Sequence, residues 1–193
     1  MQIEAAVPDG ACGDWRIESF EIDAQQASRA NLRAAIGHRL EAVSAGTYKR
    51  LMHGKTVVMS NTPMEVNTHR AFIYRAKGSV LMNGLGLGMA LTAILKKPEV
   101  VEVTVVEVSP EVITLVAPTF ASDPRVTIVQ ADAFTFQPPR GKRYDCVWHD
   151  VWNHVMRRNL PEMTQLHRKY GRRTAWQESW ARDECRELGS MYA

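Results

Sequence analysis

Residues 78–108 read GSVLMNGLGLGMALTAILKKPEVVEVTVVEV. The apolar run Val80-Leu81-Met82 leads into a turn in which glycine takes every second place, at Gly84, Gly86 and Gly88. Met89 to Lys97 contains no glycine or proline and reads as a helix closed by Pro98. Val100 to Val108, rich in valine and threonine, reads as a strand carrying an acid, Glu107, at its end. Strand, glycine turn, helix, and strand with a terminal acid is the layout of a nucleotide-binding βαβ unit. Each part has a physical reason. Glycine lets the backbone reverse sharply and lets a ligand lie against it with no Cβ between them. The helix start turns free N–H groups toward that ligand. Glu107, 19 positions past Gly88, is placed to accept both hydroxyls of a ribose.

Working outward, Ser109-Pro110-Glu111 is a helix start, with a capping hydroxyl, a proline at the first position and an acid near the positive end of the dipole. Val126 to Val129 reads as a third strand and delivers Ala131-Asp132-Ala133-Phe134. After a proline-rich loop, Tyr144 to His149 reads as a fourth strand, ending on Asp150-Val151-Trp152-Asn153-His154. Strand alternation puts His149 and Asp150 on opposite faces and gives His149 a packing role. Leu160–Tyr170 and Glu178–Leu188 read as helices around a short strand, Thr174–Gln177.

On the N-terminal side, residues up to Asp14 show no periodicity and read as a loose end. Trp15 to Ile22 reads as a strand, and Ala24 to Ala45 as an amphipathic helix with Leu32, Ile36, Leu40 and Val43 on one face. Two β-rich runs, Tyr48–Met52 and Thr56–Ser60, flank a turn at Gly54 and read as a hairpin. Thr62-Pro63-Met64-Glu65 has the pattern of a capping box and predicts a helix to about Ala76. Alternating strands and helices predict an α/β fold with a mostly parallel sheet covered on both faces. In such sheets ligands bind outside the carboxyl ends of the strands. Asn83 to Gly88, Glu107, Asp132 and Asp150 all fall at such ends.

Composition sets the bounds. The 193 residues, 45% hydrophobic and 23% charged, suffice for a globular core. No apolar run reaches the ~18 residues of a membrane span, and the N-terminus lacks the basic and apolar regions of a secretory signal. Cys12, Cys146 and Cys185 form neither a disulfide framework nor a metal-ligand spacing, so the expected location is the cytoplasm. From Val151 onward eight cations face five acids, enough to account for the whole net charge of +3. That basic stretch is either a solvated face or a contact for nucleic acid.

The glycine spacing is G-x-G-x-G, neither the G-x-G-x-x-G of dinucleotide sites nor a Walker loop. Together with the acids downstream, it resembles the Rossmann-like S-adenosylmethionine-dependent methyltransferases, and in detail their spermidine-synthase-like branch. The resemblance covers roughly Thr56 to Trp152. It implies a three-layer α-β-α fold, with residues 1–61 an N-terminal extension packed on a core and residues 62–193 the domain that binds S-adenosylmethionine. It places Asn83, Gly84, Leu85, Gly86 and Gly88 around the methionine part and ribose, with Glu107 on the ribose hydroxyls. Val108 packs on the adenine face, and Asp132 and the Ala133 N–H meet the adenine edge. Asp150 orients or deprotonates the nucleophile, with Trp152 and Asn153 on the acceptor side. The resemblance is incomplete. Asn83 stands where methyltransferases usually carry an acid, and Leu87 and Asn153 stand where spermidine synthases carry carboxylates. The chain also offers no antiparallel strand pair to complete the sheet, which implies a truncated sheet or completion by a second copy. The activity implied is methyl transfer to an unidentified acceptor; the rivals are a non-catalytic S-adenosylmethionine-binding or partner module and aminopropyl transfer.

Overall fold

The computed structural model describes residues 3, 5–36 and 43–190. It contains two sheets. The first is antiparallel, in the order β1 (Gly10–Cys12), β2 (Trp15–Ile22), β3 (Gly46–His53), β4 (Thr56–Ser60), with helix α1 (Ala24–Ile36) between β2 and β3. The second is wholly parallel and five-stranded, built from β5 (Gly78–Asn83), β6 (Val100–Glu107), β7 (Val126–Gln130), β8 (Tyr144–His149) and β9 (Thr174–Ser179). Its spatial order is β7-β6-β5-β8-β9, so the strand order reverses between β5 and β8. Helices α2 (Pro63–Thr68) and α3 (Arg70–Arg75) precede β5. Then come α4 (Met89–Leu95), α5 (Pro110–Val116), α6 (Leu160–Tyr170) and α7 (Arg182–Ser190). The expected α/β sheet covered on both faces is therefore present. No antiparallel pair follows β9 among the described residues.

The parallel strands are apolar on both faces because both are covered. Val80, Met82, Val103, Val105, Cys146 and Trp148 pack with Phe72 of α3, Leu91 and Ile94 of α4, and Val112 and Val116 of α5. On the other face Leu81, Val106 and Val147 meet Leu166 and Tyr170 of α6. Each such side chain contributes roughly 1.5–3 kcal/mol by leaving water. Ile17 and Leu51 of the antiparallel sheet join the first of these clusters, so the two sheets share one core.

Three local expectations need correction. The described N-terminal residues are not loose: Gly10–Cys12 pairs with β2, and Ile3, Ala5 and Val7 are buried. Their burial comes from neighbours distant in sequence, which no local periodicity reports. The first helix is described over Ala24–Ile36, and Leu32 is 63% exposed; Gly37 and Leu40 lie outside the described residues. Val43 lies beyond the helix, where its backbone N–H and carbonyl bond the Asn31 side chain. The helix after Thr62 breaks at His69, where the Glu65 carbonyl takes the Thr68 hydroxyl and the His69 ring in place of a backbone N–H. Thr62 does not cap that helix with its side chain. Glu65 instead reaches back to the backbone N–H and hydroxyl of Ser60.

Candidate functional site

The carboxyl ends of β5, β6, β7 and β8 open onto one cleft of about 320 Å³. Gly84, Gly86, Glu107, Val108, Asp132, Ala133, Asp150, Trp152 and Asn153 line it. It lies over the β5–β8 reversal, where a doubly wound sheet leaves a crevice.

Gly84 makes the crevice. Its φ is 107°, and a Cβ there would fall on the Asp150 carbonyl oxygen, so only glycine lets the tips of β5 and β8 meet. The Asp150 N–H completes the junction by donating to the Asn83 carbonyl at 2.8 Å. Gly88, at φ 66°, caps α4 with the Phe120 ring against it and does not line the cleft.

Glu107 is almost fully buried, at 9% exposure. The Leu85 N–H donates to its Oε2 and the Ser109 N–H to its Oε1, both at 2.9 Å. These two bonds fix the carboxylate plane and leave each oxygen a second lone pair for a ligand hydroxyl. Leu85 thus acts through its backbone, and its side chain is buried away from the cleft. Ser109 also caps α5, accepting from the Val112 N–H at 3.2 Å, as its sequence pattern predicts.

Val108 is 63% exposed, an apolar surface at the rim. Asp132 accepts the Phe134 N–H at 2.6 Å on Oδ1, while its Oδ2 and the Ala133 N–H have no hydrogen-bond partner among the described residues. Lys169, which no sequence motif marks, donates to the Ala133 and Phe134 carbonyls at 3.0 and 2.9 Å and holds this loop from α6. Burial lowers the Lys169 pKa, and the charge of Asp132 opposes the shift.

Asp150 brings in a residue that sequence motifs miss. Its Oδ2 lies 2.8 Å from Nε2 of His69, a fully buried ring at the break between α2 and α3. Burial pulls the His69 pKa down, but the hydrogen bond and charge of Asp150 and the nearby Glu65 outweigh it, and the net shift is upward. Burial likewise raises the Glu65 pKa. The only sequence signal for His69 is its spacing four residues after Glu65 in a helical pattern.

Asn83 does not reach the cleft. Its side chain is fully buried on the opposite face, where its amide donates to Nδ1 of His149 at 2.7 Å. His149 Nε2 then donates to Gln177 at 3.3 Å. Burial drives the pKa of His149 down to about 3. The packing role expected for His149 stands, and Asn83 belongs with it. Behind them burial raises Tyr170 to about 12, with the Asn83 side chain opposing the shift.

On the acceptor side Trp152 donates from Nε1 to Glu162 at 2.7 Å, which pins the indole between the main cleft and a second, more polar cavity. Asn153 is exposed at the same place. Trp15, Leu51 and Val58 of the antiparallel sheet form the facing wall, which local motifs could not reveal. Within the basic C-terminal stretch, Lys169, Arg173, Arg182 and Arg186 bond groups of the chain itself.

No protein-family model and no curated protein matches the chain. Solved structures do. A putative RNA methyltransferase from Pyrococcus horikoshii is 16% identical over 67% of this chain and 68% of its own, with a TM-score of 0.48. The N-terminal domain of EvdMO1, crystallised in the presence of SAH and D-fucose, is 18% identical over 58% of this chain and 48% of its own, with a TM-score of 0.46. The N-methyltransferase NodS from Bradyrhizobium japonicum is 15% identical over 57% and 60%, with a TM-score of 0.44. The chain spans about half the length of the EvdMO1 domain. No helix among the described residues is long and apolar enough to cross a membrane.

Proposed function

We propose that the cleft binds S-adenosylmethionine and that the protein transfers its methyl group to an acceptor arriving beside Asp150. The observation that carries this reading is the convergence of Gly84, Glu107, Asp132 and Asp150 on one crevice at the sheet reversal. Glu107 would use its two spare lone pairs on the ribose hydroxyls. Val108 would cover the adenine face, with Asp132 Oδ2 and the Ala133 N–H at the adenine edge. The acceptor would enter past Trp152 and Asn153. Methyl transfer breaks a carbon–sulfur bond whose leaving group is a neutral thioether. The protein's main task is then alignment, an effect worth roughly 7–11 kcal/mol. We place the reaction in the cytoplasm and assign the adenosyl site to residues 62–193, with residues 1–61 as the extension that walls it.

The burial of Asn83 favours a second reading, a non-catalytic S-adenosylmethionine-binding module or partner subunit, because that side chain is not there to meet the ligand's amino group. Aminopropyl transfer, the spermidine-synthase-like alternative, is less well served: Leu87 is fully buried and Asn153 is neutral, so two of the three carboxylates that the resemblance calls for are missing. A nucleic-acid acceptor would have to use Arg157, Arg158, Arg168 and Arg172, whose side chains are not engaged in the bonds described above. A second copy of the chain, if present, would lie along the open edge at β9.

Calorimetric titration with S-adenosylmethionine, its decarboxylated form and NAD, for wild type and Glu107→Ala, tests the reading. S-adenosylmethionine should bind best, and at least tenfold more weakly to the variant. Preference for NAD would overturn the cofactor assignment, and equal affinity would remove Glu107 from the site.

A further inference from the structure

The His69–Asp150 contact determines what kind of base Asp150 can be. His69 Nδ1 lies 2.9 Å from the Glu65 carbonyl, which can only accept, so Nδ1 carries a hydrogen. The Thr68 hydroxyl, 3.1 Å from the same nitrogen, already donates to that carbonyl and receives the Trp180 indole N–H. Nε2 faces a carboxylate oxygen at 2.8 Å, and a hydrogen must lie between those two atoms as well. Glu65 and Asp150 are the charged groups that act on the ring, both acidic; the Trp148 ring lies tilted behind it at 5.8 Å, with Phe72 stacked on Trp148. The ring is 1% exposed and Asp150 18%, so the carboxylate faces the cleft with the imidazole sealed behind it. Asp150 Oδ1 has no partner among the described residues.

We propose that His69 is a positioning residue that, as an imidazolium, holds Asp150 as an anion able to accept a hydrogen bond but not a proton, and that the acceptor is a neutral amine nitrogen. The inference rests on the adenosyl reading of the cleft. A proton moved onto Asp150 would leave the buried imidazolium without its hydrogen-bonded counter-charge and with only the more distant Glu65, a cost that works against a general base. A hydroxyl nucleophile, which must lose its proton to become reactive, is therefore poorly served. An amine is not. One N–H donates to Asp150 Oδ1 and aims the nitrogen lone pair at the methyl carbon. The lone pair forms the nitrogen–carbon bond, the carbon–sulfur bond breaks, and its electron pair stays on sulfur as the thioether. The positive charge passes from sulfur to nitrogen beside the Asp150 anion, and the extra proton leaves to water afterwards.

Two measurements test this on the full chain. Nitrogen-15 spectra of histidine-labelled protein should show both His69 nitrogens protonated at pH 7.5 in wild type, and one of them bare in Asp150→Asn. A bare Nε2 in wild type would overturn the ion pair. The second measurement offers radiolabelled S-adenosylmethionine with aniline and benzyl alcohol as aromatic probes of similar size. Label should reach the amine alone, and His69→Gln should slow its transfer at least tenfold and change the pH profile while leaving cofactor affinity within threefold. Label on the alcohol, or on neither probe with cofactor bound, would overturn the amine assignment. Failure to bind S-adenosylmethionine at all would instead overturn the reading of the cleft, and the nitrogen spectra would still report on the pair.

Discussion

His149 and Asp150 are consecutive and close the same strand, yet they build opposite electrostatic environments on the two faces of the sheet. Toward the cleft, Asp150 meets His69, and a buried imidazole is pushed toward its charged form. On the far face His149, just as buried, meets the amides of Asn83 and Gln177, and its pKa falls to about 3. Burial is common to both and disfavours charge in both. The difference is the surrounding charge: the Asp150 carboxylate, with Glu65 near it, acts on His69, whereas His167, Arg182 and Lys169 push His149 the other way. A desolvated histidine stays neutral among dipoles and becomes a cation only where a full counter-charge lies within hydrogen-bond distance. The cleft face can therefore do electrostatic work, and the far face only holds the sheet together.

The most severe way to break this contrast is Asp150→Ala, which strips His69 of its counter-charge. It should cost roughly 3 kcal/mol in urea unfolding at pH 7. A loss under about 1 kcal/mol would mean that His69 is neutral in the wild type.

The pH dependence of stability separates the two histidines by sign. The His149 pKa is lowered on folding, so its contribution is complete above 6.5 and is lost as pH falls from there toward 3, on the order of several kcal/mol in all. The His69 pKa is raised on folding, so its contribution is complete below 6.5 and is lost as pH rises through its folded value. His149→Gln should flatten the acid limb and His69→Gln the alkaline one, each read as a difference from wild type in denaturant midpoint. A shared limb in both variants would contradict the assignment.

Asn83→Asp would sharpen the comparison by giving His149 a carboxylate of its own. Its pKa should climb from about 3 toward the ordinary histidine range in a proton NMR titration, at a cost of about 1–2 kcal/mol in stability. The smallest effect is expected on the acceptor side. Glu162→Ala removes the partner of Trp152 and should change stability by less than about 1 kcal/mol, while red-shifting tryptophan emission as the indole loosens.

Glu107, Asp132 and Asp150 are legible in the linear chain because each closes an apolar run, and a parallel sheet gathers such ends on one side. Asn83 is legible as a position but not as a direction. It closes β5 next to the glycine turn, and only its register with His149 shows that it faces away. A both-sides-buried strand is apolar throughout, so its pattern does not say which face is which. His69 leaves almost no trace in the sequence. It sits where the expected single helix breaks, and its partner is 81 residues away.

The order of residues alone was enough to establish the alternating parallel architecture, the glycine turn and the acids at the strand tips, because these follow from periodicity, backbone freedom and local order. The folded molecule alone decided that Asn83 turns from the cleft, that Trp15, Leu51 and Val58 wall it, and that His69 stands behind Asp150. Those outcomes depend on which distant surfaces meet, and no interaction between near neighbours along the chain encodes them.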